Sequence, residues 1–162
     1  MLTRRILLCA LVAAGASLAS ACGSSGTAAN LELQNVSSGY FDAGIVDGEN
    51  KIVPSVTFTL HNKGSEQTAN VQLNVHFRVV DADGNMDEKL VRAIGSDGVG
   101  PQQTSEPITV RADIGYTSPQ SRADMLTNSN FRDVQVRVFG KAGSEQWVPI
   151  GEAAVERTIL IR

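Results

Sequence analysis

The stretch Pro54–Asn85, PSVTFTLHNKGSEQTANVQLNVHFRVVDADGN, decides the fold class. In its first half Val56, Phe58 and Leu60 alternate with Thr57, Thr59 and His61, the period of two that marks a half-buried strand. The second half repeats the pattern over a longer run, with Val71, Leu73, Val75, Phe77 and Val79 on one face and Gln72, Asn74, His76 and Arg78 on the other. A core must therefore lie on one side of these strands and water on the other.

Outward from this pair, similar segments predict strands at Leu31–Ser37, Tyr40–Val46, Ile52–His61, Thr68–Val80, Glu88–Ile94, Pro107–Ala112, Arg132–Phe139 and Glu145–Ile161. The last should bend or break at Pro149 and Gly151, which suit the middle of a regular strand poorly. Turn chemistry separates the segments: Asp47-Gly48, Asn62-Lys63-Gly64, Asp83-Gly84 and Gly140-Lys141-Ala142-Gly143. Many short, evenly spaced strands imply an all-β antiparallel sandwich or barrel of about seven to eight strands. One short helix is expected near 121–127, because Ser121 can cap it, Asp124 stands three residues on, and Met125 and Leu126 supply a face to bury. The only internal echo, Gly64-Ser65-Glu66-Gln67 against Gly143-Ser144-Glu145-Gln146, stops at the turn and reads as shared loop chemistry.

The first 21 residues read as an export signal: Arg4 and Arg5, then an apolar run from Ile6 to Ala14, then the small residues Ala19-Ser20-Ala21. The apolar run is too short to span a bilayer. Thr3-Arg4-Arg5-Ile6-Leu7-Leu8 also loosely matches a twin-arginine signal. Leu18-Ala19-Ser20-Ala21-Cys22 resembles a bacterial lipobox, which implies cleavage before Cys22 and a diacylglycerol on its thiol; Ala19 stands where the pattern prefers leucine. An ordinary Ala-x-Ala cleavage would cut the same bond and leave a free thiol, an exposed and oxidisable group. Residues 22–30, ending in GSSGTAAN, then form a flexible tether whose last eight residues span about 16 Å, and residues 31–162 form one domain.

With Cys9 removed in the signal, Cys22 is the one remaining cysteine, so the domain has neither an intramolecular disulfide nor a cysteine metal site. Taking Arg4 and Arg5 from the 14 basic residues leaves 12 against 17 acidic ones. Such a chain lacks the clustered Lys and Arg that phosphate contacts need, which argues against nucleic acid as a partner. Attachment to a membrane would come from acyl chains on Cys22, each buried methylene contributing about 0.8 kcal/mol.

From Val56 to Thr104 the chain resembles bacterial immunoglobulin-like modules of the FxLYD-type lipoproteins and LEA14-like domains. The parts that carry the resemblance are the strand end Leu60-His61-Asn62-Lys63-Gly64, the long strand ending in Phe77, the turn Asp81-Ala82-Asp83-Gly84 and the Gly100-Pro101 loop. The resemblance covers about a third of the chain. It implies an immunoglobulin-like two-sheet β-sandwich in the cell envelope and carries no catalytic residue. Where the FxLYD pattern would place an aromatic strand end, Ile108-Thr109-Val110 stands instead.

Candidate site residues are few. Asp81, Asp83 and Asn85 occupy positions 1, 3 and 5 of a calcium-loop pattern, but Met86 replaces the glycine at position 6 and Arg92 the glutamate at position 12. A strand-ending Asp-Gly turn explains the same residues. His61 and His76 lie on polar strand faces and could approach each other, yet two imidazoles without a third ligand make a poor zinc site. The nucleophile elbow, the zincin helix motif and the phosphate-cradling loop are absent from the sequence. The expectation is a non-catalytic protein without cofactor or metal, lipid-anchored at Cys22 and facing the periplasm or cell exterior, that binds an envelope protein near the membrane. The alternative is a carrier holding a small amphiphile or lipid in an open end of the sandwich.

Overall fold

The computed structural model describes residues 27–160, so the signal, Cys22 and the start of the tether lie outside the described residues. After a 3-10 turn at Thr27–Asn30 come strands β1 (Leu31–Val46), β2 (Glu49–Asn62), β3 (Val71–Val79), β4 (Asp87–Ile94), β5 (Ile108–Arg111) and β6 (Tyr116–Ser118). Helix α1 (Arg122–Thr127) follows, then β7 (Val134–Ala142), β8 (Val148–Ala154) and β9 (Ile159–Leu160). One sheet has the order β5-β2-β1-β9, with β6 beside β5 on the same edge of β2; the other has the order β4-β3-β7-β8. The chain changes sheet between β2 and β3, β4 and β5, β6 and β7, and β8 and β9. This is a two-sheet β-sandwich.

The two alternating segments supply the two inner faces. Val56, Phe58 and Leu60 of β2 meet Val71, Leu73, Val75 and Phe77 of β3, all within one per cent of complete burial. Val134, Val136 and Val138 of β7 continue the second layer, and Tyr40 and Ile52 the first. Pro54 sits inside β2 without breaking it. Its carbonyl accepts from the Ala112 N–H, and the reciprocal bond that its missing N–H cannot make is the one at which the ladder with β5 stops, after Arg111.

Several boundaries differ from the sequence expectation. The segments expected at Leu31–Ser37 and Tyr40–Val46 are the single strand β1, with a bulge between Gln34 and Ser37 in which Asn35 takes φ 51°. Gly39, in the gap between the two expected segments, serves a close approach: a Cβ there would lie 2.9 Å from Leu160 and Thr158. The strand expected at Glu145–Ile161 divides after Ala154 rather than at Pro149 or Gly151. Those two residues accommodate a bulge, since Val138 pairs with Gly151 while Phe139 pairs with Pro149. Beyond Ala154 the Ser38 hydroxyl donates to the Ala154 carbonyl and accepts from the Glu156 N–H, and the chain crosses to pair β9 with β1. That pairing is parallel, an exception to the all-antiparallel expectation. Strand β6, three residues long, escaped the pattern, and the described residues hold nine strands rather than seven or eight.

The helix expected near 121–127 is present. Ser121 accepts from the Asp124 N–H at 3.2 Å and donates to its carboxylate at 2.6 Å, while Met125 and Leu126 are buried.

Candidate interaction face

The residues singled out in the sequence do not assemble into one site. In the β3–β4 loop Asp81 and Gly84 take φ 60° and 78°, the left-handed conformations of a tight turn. The Asn85 amide points back to the sheet and donates to His76 Nδ1 at 3.3 Å and to Glu88. Among the described residues no group of three or more His, Cys, Asp or Glu is gathered as a metal site would need. His61 and His76 do not approach each other. One lies on β2 and the other on β3, in opposite sheets, and each outer face points away from the other sheet. His61 Nδ1 is 3.2 Å from the Thr104 hydroxyl, and the His76 ring lies 4.9 Å from that of Phe139.

Strand register builds a different arrangement on the outer face of the four-stranded sheet. Arg92, Gln72 and Lys141 stand side by side across β4, β3 and β7. The next row is Leu90, Asn74, Phe139 and Pro149, and the next Glu88, His76, Arg137 and Glu152. Leu90 is 69% exposed on the edge strand β4. Trp147, in the β7–β8 loop, is 40% exposed and lies with its ring centroid 5.1 Å from the Lys141 ammonium, a cation–π distance. Arg137 Nε is 3.3 Å from Glu152 Oε2, out of line for a hydrogen bond, and Glu88 Oε2 is 3.9 Å from His76 Nε2. Arg78, Arg92, Arg137 and Lys141 share this region with Glu88, Glu152 and, beside Arg78, Asp81 and Asp83, so the face carries both signs of charge. Two depressions of about 350 and 340 Å³ flank Arg137, one running to Arg78 and the exposed Val80, the other to Phe139 and Pro149.

The outer face of the other sheet closes on itself. Thr57 and Thr109 share a hydrogen bond of 2.8 Å, Asn35 donates to the Thr59 hydroxyl, and that hydroxyl donates to the Gln34 carbonyl. The Arg111 guanidinium lies 3.7 Å from the Phe41 ring centroid. The rim between the sheets is tied by Asp87, whose Oδ2 accepts from the N–H groups of Asp113 and Ile114 while Oδ1 accepts from that of Glu88. Burial pushes the Asp87 pKa up, but these three donors and the Lys89 ammonium outweigh it, so the group stays ionised below the usual carboxylate range.

Each end of the sandwich has a fastening that no local pattern announces. At one end Glu145 accepts from the N–H and hydroxyl of Thr27 at 3.0 and 3.3 Å and from the Ala28 N–H at 3.5 Å, so Thr27–Asn30, expected as flexible tether, belong to the domain. At the other end Arg157 donates to Asp133 at 2.7 Å and to the carbonyls of Leu126 and Phe131. Its hydrogen bond lowers the Asp133 pKa. Beneath this strap Tyr40, Tyr116 and Phe131 pack as an aromatic cluster; the Tyr40 hydroxyl is buried with no partner among the described residues, and burial raises its pKa.

No family model and no curated protein matches the chain. Among solved structures, the X-ray structure titled Northeast Structural Genomics Consortium target SoR45 is similar at 12% identity and a TM-score of 0.46, over 82% of this chain and 90% of that one.

Proposed function

We propose that this protein is a non-catalytic binding module of the cell envelope, lipid-anchored at Cys22, that uses the outer face of its four-stranded sheet to hold a partner protein. The observation that carries this reading is the combination on that face of exposed Leu90 and Trp147 with Phe139, Pro149 and surrounding side chains of both charges. Aromatic and arginine side chains are the groups that most often dominate binding energy, and exposed apolar residues ringed by charge mark contact surfaces. The partner that fits is a protein with apolar side chains inside a rim of mixed charge. The amphiphile-carrier alternative finds less support, because the depression at the α1 end, about 200 Å³, is smaller than the sites that hold drug-sized ligands.

Two measurements test the proposal. Photo-crosslinkers placed in whole cells at Leu90 and at Trp147 are expected to trap an envelope protein, whereas one at Thr109 on the opposite face is not. Equal yields from both faces would sink the assignment of the face. Cys22→Ala is expected to move the protein from the membrane to the soluble fraction; unchanged partition would remove the anchor from the proposal.

A further inference from the structure

The end of the sandwich remote from the Thr27 turn carries a depression of about 200 Å³ between β6 and α1. Tyr116, Thr117, Gln120, Met125, Asn130 and Phe131 line it, with Ser118 and Asn128 behind them, and none of these eight residues is charged. We propose that this depression binds one ring of a neutral, polyhydroxylated ligand, a sugar unit. The inference does not depend on the anchor or on the sheet face.

Size sets the first limit. The depression holds about seven waters at roughly 30 Å³ each and falls below the range of about 300 Å³ upward typical of drug-sized ligands, so it suits a single small ring.

Hydrogen-bonding groups set the second. The Gln120 Nε2 amide, the Asn130 side chain and the Thr117 hydroxyl have no protein partner among the described residues, although Gln120 and Asn130 are held in place. Asn128 donates from Nδ2 to Gln120 Oε1 at 3.1 Å and accepts at Oδ1 from the Asn130 N–H at 2.9 Å. Ser118 accepts from the Gln120 N–H. Amides and hydroxyls can both donate and accept, which matches adjacent ligand hydroxyls that do the same. An ion would find no opposite charge in the lining, and an apolar ligand would leave these groups unsatisfied.

The third element is an apolar wall. Half-buried Tyr116 stands with its ring centroid 4.6 Å from that of Phe131 at 45°, backed by the buried Phe131 and Met125, and offers its carbon surface to the C–H face of a sugar ring. The Tyr116 hydroxyl is engaged with the Arg132 carbonyl at 2.8 Å, and the Arg157 strap and the Ser121 cap hold the helix in place. The wall is thus built before any ligand arrives, which reduces the ordering cost of binding.

The experiment is a titration of the isotope-labelled full chain with glucose and N-acetylglucosamine, and with glucuronate and glucose 6-phosphate as charged counterparts, followed by NMR at the side-chain amides. Saturable shifts of the Gln120 and Asn130 amides with a neutral sugar, at a millimolar Kd and about tenfold tighter than with the charged counterparts, are expected. Gln120→Ala and Asn130→Ala should each weaken that binding about tenfold at unchanged Tm. The proposal is overturned by absence of saturation at these amides with both neutral sugars, by equal binding of the charged sugars, by shifts centred on Trp147 at the opposite end, or by variants that bind as the parent does.

Discussion

The outer faces of β2 and β3 arise from the same alternation of apolar and polar residues, yet they end in opposite states. On β2 the outward threonines are short and spend their hydroxyls on neighbouring strands or on each other, and Ser55 and Thr59 are nearly covered by their own sheet. On β3 and its neighbours the outward residues are long, and cations stand beside Leu90, Phe139 and Trp147 with few fixed partners. Ion pairs of this exposed kind contribute at most about 1 kcal/mol. A polar face can therefore be finished within the fold or left open to a partner, and side-chain length and pairing decide which.

The sharpest way to break this comparison is to ask whether inside and outside are assigned correctly. Phe77→Ala removes a fully buried ring and should destabilise by about 3–5 kcal/mol, while its outward neighbour Arg78→Ala should stay within about half of one; equal melting temperatures would show the register of β3 to be wrong. Next in size is the face itself. Leu90→Asp combined with Arg137→Glu should weaken partner capture by about 2–3 kcal/mol, roughly a hundredfold, with Tm nearly unchanged, whereas Thr109→Ala should leave capture intact. If the threonine variant loses the partner and the double variant keeps it, the two faces have been exchanged.

A smaller effect concerns Tyr40. Its buried hydroxyl has no partner among the described residues, so Tyr40→Phe should raise stability by about 1 kcal/mol, measured by denaturant midpoint; a loss of that size would reveal a hidden bond. The smallest effect is acid-dependent. Because the Asp87 pKa is lowered in the fold, its contribution is complete above the unfolded value of about 3.9 and is lost as pH falls through the depressed folded value. The stability gap between the parent and Asp87→Asn, under about 1 kcal/mol, should be constant near neutrality and shrink below about pH 4. A gap that widens in acid would reverse the sign assigned to the rim contact.

Those parts of the fold that rest on near neighbours in the chain were legible in advance. The in-and-out order of Val71 to Val79 needs only its own alternation, and the Ser121 cap lies three residues from the N–H it accepts from. Contacts between distant segments were not legible. Gly39 falls between two expected strands, and nothing near it shows that Leu160, more than a hundred positions away, needs its space. The same holds for the rows across β4, β3, β7 and β8: alternation says that Gln72 faces outward, but only the pairing register sets Arg92 and Lys141 beside it, Lys141 lying in β7 rather than in the turn expected at Gly140–Gly143. His61 and His76 failed as a pair for the complementary reason, since outward on two different sheets means apart. The depression at α1 draws on β6, a strand too short to carry any period.

The clamp of Glu145 on Thr27 and Ala28 also sets a standoff distance. It leaves five peptide steps between Cys22 and the first fixed residue, a reach of no more than about 18 Å when fully extended. From Asn62, beside that clamp, to Asn50, beside the α1 end, β2 runs twelve residues, a rise of roughly 40 Å. With acyl chains on Cys22, the β7–β8 hairpin would stand near the headgroups and the neutral depression would be held out like the head of a post. Cutting the clamp with Glu145→Ala would lengthen the free leash by up to four residues and let the post tilt, changing what each end can touch without altering either surface.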